Sequence, residues 1–228
     1  MSHTTIDTTS NTHSSIAAMI SPSSLTEWQR NILSIYMRAN ALDIQQGMSW
    51  YPNAHEIART LANRYDTTVY IVCGVIAALS PGCTWEKNIE YAERVLQYHS
   101  MGMDEHTVPK SIGTYGKRNM AKAFMIARGD DVLTTLGGDK VRAFFQCLFL
   151  PNSIMGIVCI DRHAVSIVAG VPLGEDYTKM VNTSKKYAAV SEAYASVAAM
   201  LDMAPMQLQA VTWVVWRRLT NGKVDSFM

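Results

Sequence analysis

The sequence predicts an all-α protein, and three observations predict it. Apolar residues recur at helical spacing in segment after segment, as in Val141, Phe144, Phe145 and Leu148. Residues that start or stop helices bracket these segments. No alternating apolar–polar run is long enough to specify a strand.

Taken in order, residues 1–24 are half Ser and Thr without an amphipathic period, which predicts a flexible leader. Trp28, Ile32, Ile35 and Tyr36 then repeat at helical spacing. Pro52 reads as the first position of a helix running to about Tyr65. Thr67 or Thr68 caps a segment over 68–79 whose sequence, VYIVCGVIAAL, is apolar on every side. A helix without a polar face belongs at the centre of a fold. Ser80-Pro81-Gly82 stops it, and Thr84 caps a helix from Trp85 to about His99. The stretch from Ser100 to Tyr115 reads as a loop. A helix follows from Gly116 to Arg128, with Met120, Ala121, Phe124 and Met125 on one stripe. Asp130 and Asp131 open a short turn that ends at Gly137-Gly138, and Asp139 is read as the cap of the next helix. Pro151 to Gly156 is a loop and Ile157 to Ile160 an extended apolar run. Asp161 caps a helix to about Ala169, closed by Gly170 and Pro172. Two helices complete the chain. One carries Val190, Ala193, Tyr194, Val197 and Leu201; the other starts at Pro205 and carries Leu208, Val211, Val215 and Leu219.

With 228 residues and 48% hydrophobic composition, the chain can bury a core of one large domain or two interlocked lobes. The net charge is only +1, lower than is usual for a protein that holds long nucleic acid by phosphate neutralisation alone. The charge is unevenly spread, however. Between Lys110 and Arg142 stand seven cations against three carboxylates, enough for a local basic face. None of Cys73, Cys83, Cys147 and Cys159 forms a C-x-x-C pair, so neither a zinc knuckle nor an iron–sulfur run is written here, and no metal or cofactor is expected. The cysteines read as small buried hydrophobes of a reducing compartment. The longest apolar run, Val69 to Leu79, is about half the ~20 residues that cross a bilayer, and no secretory signal opens the chain. A cytoplasmic location without a membrane partner is expected.

The informative stretch is 133–170: a tight glycine turn, a helix bearing Lys140, an IVCI run, then Asp161 ahead of another helix. Gly138-Asp139-Lys140-Val141 and Ile157-Val158-Cys159-Ile160-Asp161-Arg162-His163 together resemble the helix-hairpin-helix DNA glycosylase superfamily, which includes endonuclease III and the 8-oxoguanine glycosylases. Upstream, VIAALSPGCTWEKNIEYAERVL (75–96) resembles that superfamily's central helix, DNA-facing turn and next helix. IGTYGKRNMAKAFMIAR (112–128) resembles its I-G-x-Y segment and following helix. The similarity covers roughly residues 70–170, and IAALSP, W-x-x-N and IDRHA in combination resemble a small phage-encoded branch.

The resemblance implies a two-lobed helical fold with a helix-hairpin-helix element and Lys140 and Asp161 facing one cleft. One lobe would cover about 68–150, and the other 25–66 with 157–220. It also implies a chemistry. Lyase members attack the sugar C1′ with a lysine amine, and β-elimination then breaks the strand. The amine must be uncharged to attack, and the first turn of a helix disfavours a cation. Asp161 would stabilise positive charge on the sugar and move protons. Read without the resemblance, Asp161 is an N-cap and Lys140 a surface lysine balanced by Asp139. The sequence departs from the family hairpin, L-P-G-h-G-x-K. Gly138 is kept, Leu136 replaces the first glycine and Thr135 the proline, and the endonuclease III cluster motif is missing.

The remaining DNA-contact candidates each carry a plainer alternative. Gly137 and Gly138 would offer backbone N–H groups to a phosphate. Ser80, Pro81 and Trp85 occupy the turn that supplies a wedge in the family, although Trp85 also reads as core. Lys117, Arg118, Lys122 and Arg142 are phosphate contacts or a solvated face. His163 orients a phosphate or is a satisfied structural histidine. Gln209, Trp213, Trp216, Arg217 and Arg218 mark the last helix, its tryptophans core and its arginines phosphate or partner contacts.

The function expected from this is a DNA endonuclease and abasic-site lyase that nicks double-stranded DNA at abasic or damaged sites through a Schiff base on Lys140. Uracil-derived sites are the natural substrate, and a separate uracil-DNA glycosylase, the host's in an infected cell, would generate them. Two alternatives stand beside it. One is a non-catalytic protein that covers damaged DNA or occupies a repair enzyme. The other is a hydrolytic glycosylase that uses Asp161 alone.

Overall fold

The computed structural model describes residues 24–108 and 116–220. The expected leader up to residue 23, Lys110 and the I-G-x-Y residues 112–115 lie outside them. Among the described residues there are helices, turns and irregular segments but no strand, so the chain is all-α. None of the described helices is long and apolar enough to cross a membrane.

In chain order the helices are α1 (Glu27–Tyr36), α2 (Ala41–Arg64), α3 (Val69–Leu79), α4 (Trp85–Ser100), α5 (Lys117–Ala127), α6 (Val132–Thr135), α7 (Asp139–Phe149), α8 (Arg162–Ala169), α9 (Thr178–Val181), α10 (Ser184–Met200) and α11 (Pro205–Leu219), with a 3₁₀ turn at Glu175–Tyr177. Most begin where polar caps stand. The side chains of Thr26, Thr68, Thr84, Asp131, Asp161 and Thr183 each accept a hydrogen bond from a backbone N–H in the first turn of the helix that follows. Gly170 ends α8 at φ +74°, where a side chain would be strained.

The chain divides into two compact units. Of the described residues, one unit contains 24–50 and 153–220, and the other those within 51–152. In the first unit α1 packs on α8, α10 and α11, and α8 packs on α11. Ile32, Ile160, Val165, Tyr194, Val197, Leu208 and Val211 are part of its core. Gly47 on α2 lets the backbone of α11 come into contact at Val211, where any Cβ would collide with the Val211 main chain.

In the second unit α3 is the central element. Every residue from Val72 to Leu79 is buried, and α4, α5 and α7 pack around it. Gly74 makes the approach of Val132 and Ile126 possible. Tyr70 meets Phe145 and Phe149 edge-on, with ring centroids 5.1 and 5.2 Å apart. His55 Nδ1 lies 2.9 Å from the Leu148 carbonyl and ties α2 to α7.

Two expectations are corrected. Pro52 does not open a helix. It lies inside the continuous 24-residue α2, and the unit boundary falls within that helix rather than near residue 66. The helix starts earlier because Asn40 and Asp43 bond each other's backbone N–H reciprocally at 2.9 Å. The missing N–H and ring of Pro52 cost about 3 kcal/mol inside a helix, and burial of Tyr51, Ala54, Ala58, Leu61 and Ala62 offsets that cost. Likewise, Asp139 is not the cap of α7 but its first residue. Gly138 holds the cap position at φ +79° without a side-chain cap bond. That backbone geometry costs other residues about 1–3 kcal/mol, and Asp139 is left one position on, where the helix dipole favours its charge.

Candidate nucleic-acid interface

The second unit gathers four of the expected site residues, Gly137, Gly138, Lys122 and Lys140, around one turn. α6 ends at Thr135, the buried Leu136 anchors the chain in extended conformation, and the exposed Gly137 and Gly138 lead into α7. Leu136 has φ −68°, so this turn does not need a glycine where the family hairpin has its first one. Open space surrounds Gly138 on the side where a Cβ would project. Gly138 itself has no side chain to cap α7, and the backbone N–H groups of a helix's first turn attract anions.

Cations stand around this turn. Lys140 is half-buried in the first turn of α7. The Lys122 ammonium on α5 reaches Gly137, 2.8 Å from where a Cβ would be. The Ser80–Thr84 turn is brought near as well. Burial pushes the Cys83 thiol up to about 11, while the charges of Lys140 and Lys87 act on it in the opposite direction. Lys87 is thus a cation within electrostatic reach of Cys83 that the sequence reading missed. Its only signal is a lysine three residues past the Thr84 cap.

Other candidates are placed differently. Ser80 is buried, and its hydroxyl donates to the Ala77 carbonyl at 2.9 Å. Pro81 and Trp85 are half-buried, and Asn88 of the W-x-x-N motif is buried. Lys117 and Arg118 are exposed in the first turn of α5, which also starts from a positive-φ glycine, Gly116, without a side-chain cap. Arg142 is exposed, but its Nε donates to the carbonyls of Leu133 and Leu136 at 3.0 and 3.2 Å, so it also holds the end of α6.

Asp161 and His163 belong to the first unit. Asp161 is 3% exposed, and its Oδ1 accepts the Ala164 N–H at 2.7 Å. Burial pushes the phenol of Tyr194 up, a hydrogen bond with Thr212 acts against this, and the nearby Asp161 charge adds to the rise. His163 is 2% exposed with its ring edge-on to Trp213, so it is not presented to solvent. α11 also carries the buried Gln209 and Thr212, with the Arg217 guanidinium 4.8 Å from the Trp213 ring centroid. Arg218 pairs with the carboxylate of the buried Asp43 at 2.8 Å and donates to the Arg38 carbonyl, so it braces α11 against the start of α2. Tyr187, unremarked in the sequence, bonds the run that leads to Asp161.

All four cysteine side chains are buried, and burial pushes the Cys73 thiol up to about 12. Among the described residues no group of three or more His, Cys, Asp or Glu side chains is placed to hold a metal ion.

A family profile described as "Family of unknown function (DUF7178)" matches residues 14–220. No curated protein and no solved structure matches the chain.

Proposed function

The chain belongs to the DUF7178 family, whose function is unknown, and from its residues we propose that it is a DNA-(abasic site) lyase acting through Lys140. The observation that carries this reading is the turn before α7. Two exposed glycines leading into a helix N-terminus and the Lys122 ammonium make a site suited to a DNA phosphate, and Lys140 stands in the same first turn.

In this reaction the Lys140 Nζ adds to C1′ of the ring-opened abasic sugar. Water leaves and an imine forms. Removal of a C2′ proton then breaks the C3′–O bond, and the phosphate departs with the bonding electrons. Hydrolysis of the imine returns the free amine. With a net charge of only +1, the chain relies on a separate uracil-DNA glycosylase to supply abasic sites. A helix-hairpin-helix reading of α6, the glycine turn and α7 belongs to this proposal, as do a cytoplasmic location and a cleft holding the reaction.

The test is strand scission of a duplex bearing one abasic site, with purified chain alone and with added uracil-DNA glycosylase on the uracil-containing parent duplex. Cleavage of the abasic duplex by the chain alone, and of the uracil duplex only with the glycosylase, supports the reading. Base release from the uracil duplex by the chain alone replaces it with a glycosylase activity.

One observation favours a second reading, a non-catalytic DNA-binding protein. Asp161 is buried and its Oδ1 is engaged in the α8 cap, as a purely structural aspartate would be. Binding to abasic duplex without any cleavage selects that reading.

A further inference from the structure

We infer that Tyr187 on α10 is a positioning residue that frames Asp161. The run 157–160 has no strand partner among the described residues, yet Val158 and Ile160 are buried, so their backbone groups need partners inside the protein. One hydroxyl supplies both. Tyr187 Oη accepts the Ile160 N–H at 2.9 Å and donates to the Val158 carbonyl at 3.1 Å, doing the work of a neighbouring strand.

Asp161 is the next residue, held in extended backbone with its Oδ1 on the Ala164 N–H. On the far side of it, Tyr194, seven residues and about two helical turns along α10, points its hydroxyl at the Ala164 carbonyl, 3.4 Å away. The same face of α10 therefore grips the chain before Asp161 and the first turn after it. Tyr194 is fully buried in the core, whereas Tyr187 is half-buried at the edge, so Tyr187 is the member whose hydroxyl can be removed with the least loss of packing.

The frame is a property of the fold, but its consequence for the reaction rests on Asp161 serving the proposed lyase. The full-length chain and a double-mutant cycle separate the two. Amide hydrogen exchange at Ile160 and Ala164 is compared between wild type and Tyr187→Phe, and single-turnover cleavage of an abasic duplex is measured for wild type, Tyr187→Phe, Asp161→Asn and the double variant. Tyr187→Phe is expected to speed exchange at both amides. It should slow cleavage about tenfold or more with unchanged duplex affinity, and have little further effect on top of Asp161→Asn. Unchanged exchange overturns the frame. An equal slowing in both backgrounds, or none in either, overturns the action through Asp161. A wild-type chain that binds duplex without cleaving it ends the lyase reading and the catalytic half of the inference, while the exchange data still decide the frame. Should Tyr187→Phe not fold, 4-aminophenylalanine at this position keeps the ring and a donor toward Val158 but is a poor acceptor for the Ile160 N–H, and the same cycle is read with it.

Discussion

The ammonium of Lys122 on α5 rests against Gly137, 2.8 Å from the place a Cβ would take. The two residues are fifteen positions apart, and their contact puts a second cation at the turn that introduces Lys140. Gly137→Ala displaces only the flexible end of a lysine, so the fold should survive. The expected result is weaker duplex binding and a salt dependence whose slope falls by about one, as for Lys122→Gln. Titrations by fluorescence anisotropy at several salt concentrations check this. An unchanged slope in both variants removes Lys122 from the interface.

Gly47 is the opposite case, because its obstacle is the Val211 backbone rather than a mobile side chain. Gly47→Ala forces α2 and α11 apart in the first unit and should cost about 3 kcal/mol. Urea denaturation should show the lower midpoint. A loss under 1 kcal/mol would mean that the crossing of α2 and α11 is looser than described.

Asp161 can be tested as a cap and as a charge separately. Asp161→Ala should cost about 1–2 kcal/mol through the lost bond to Ala164, while Asp161→Asn, an equally good cap, should leave stability nearly unchanged. If the carboxylate serves the reaction, Asp161→Asn slows cleavage without changing the denaturation midpoint. Full activity in Asp161→Asn leaves the residue a cap and nothing more.

Asp202 follows α10 at φ +54°, in a turn closed by the Met203 N–H on the Ala198 carbonyl at 2.9 Å. This left-handed position at a helix C-terminus suits glycine, and an anion there opposes the helix dipole. Asp202→Gly should stabilise the chain by about 1 kcal/mol, read as a rise in Tm. A fall in Tm contradicts the assignment.

The buried thiols set an alkaline limit. Native Cys73 and Cys83 ionise near 12 and 11 against 9.0 for the free group. Their neutral forms therefore contribute stability that is fully present below about pH 9. That stability is lost as the unfolded chain ionises and the pH rises toward the native values. Urea midpoints should fall between pH 9 and 10.5, less steeply in Cys73→Ala, and a thiol reagent at pH 8 should label neither residue before unfolding. Rapid labelling of the native chain contradicts the burial.

Much of the helical layout was legible because polar caps and breakers mark it locally. Thr68, Thr84, Asp161 and Gly170 act where their residue types predict, and the uniformly apolar 69–79 segment is the centre of its unit. Pro52 misled because a proline suits the first turn of a helix, and the decisive signal lay twelve residues earlier, in the reciprocal pair Asn40 and Asp43. Asp139 misled because aspartate is both a good cap and a good first-turn residue. Which role it takes depends on the backbone of Gly138. The cationic turn was legible as far as Gly137, Gly138, Lys122 and Lys140. Lys87 was not, although Cys83 lies only four residues before it, and Tyr187 was not because it reaches its partner through tertiary packing. Tyr187 finds Ile160 across 27 residues, and no local pattern encodes that.

The most direct measurement is borohydride reduction of the chain mixed with an abasic duplex. An imine at Lys140 predicts a covalent protein–DNA adduct in wild type and in Lys122→Gln at sufficient protein concentration, and none in Lys140→Ala. No adduct with wild type, or an adduct that persists in Lys140→Ala, contradicts the account.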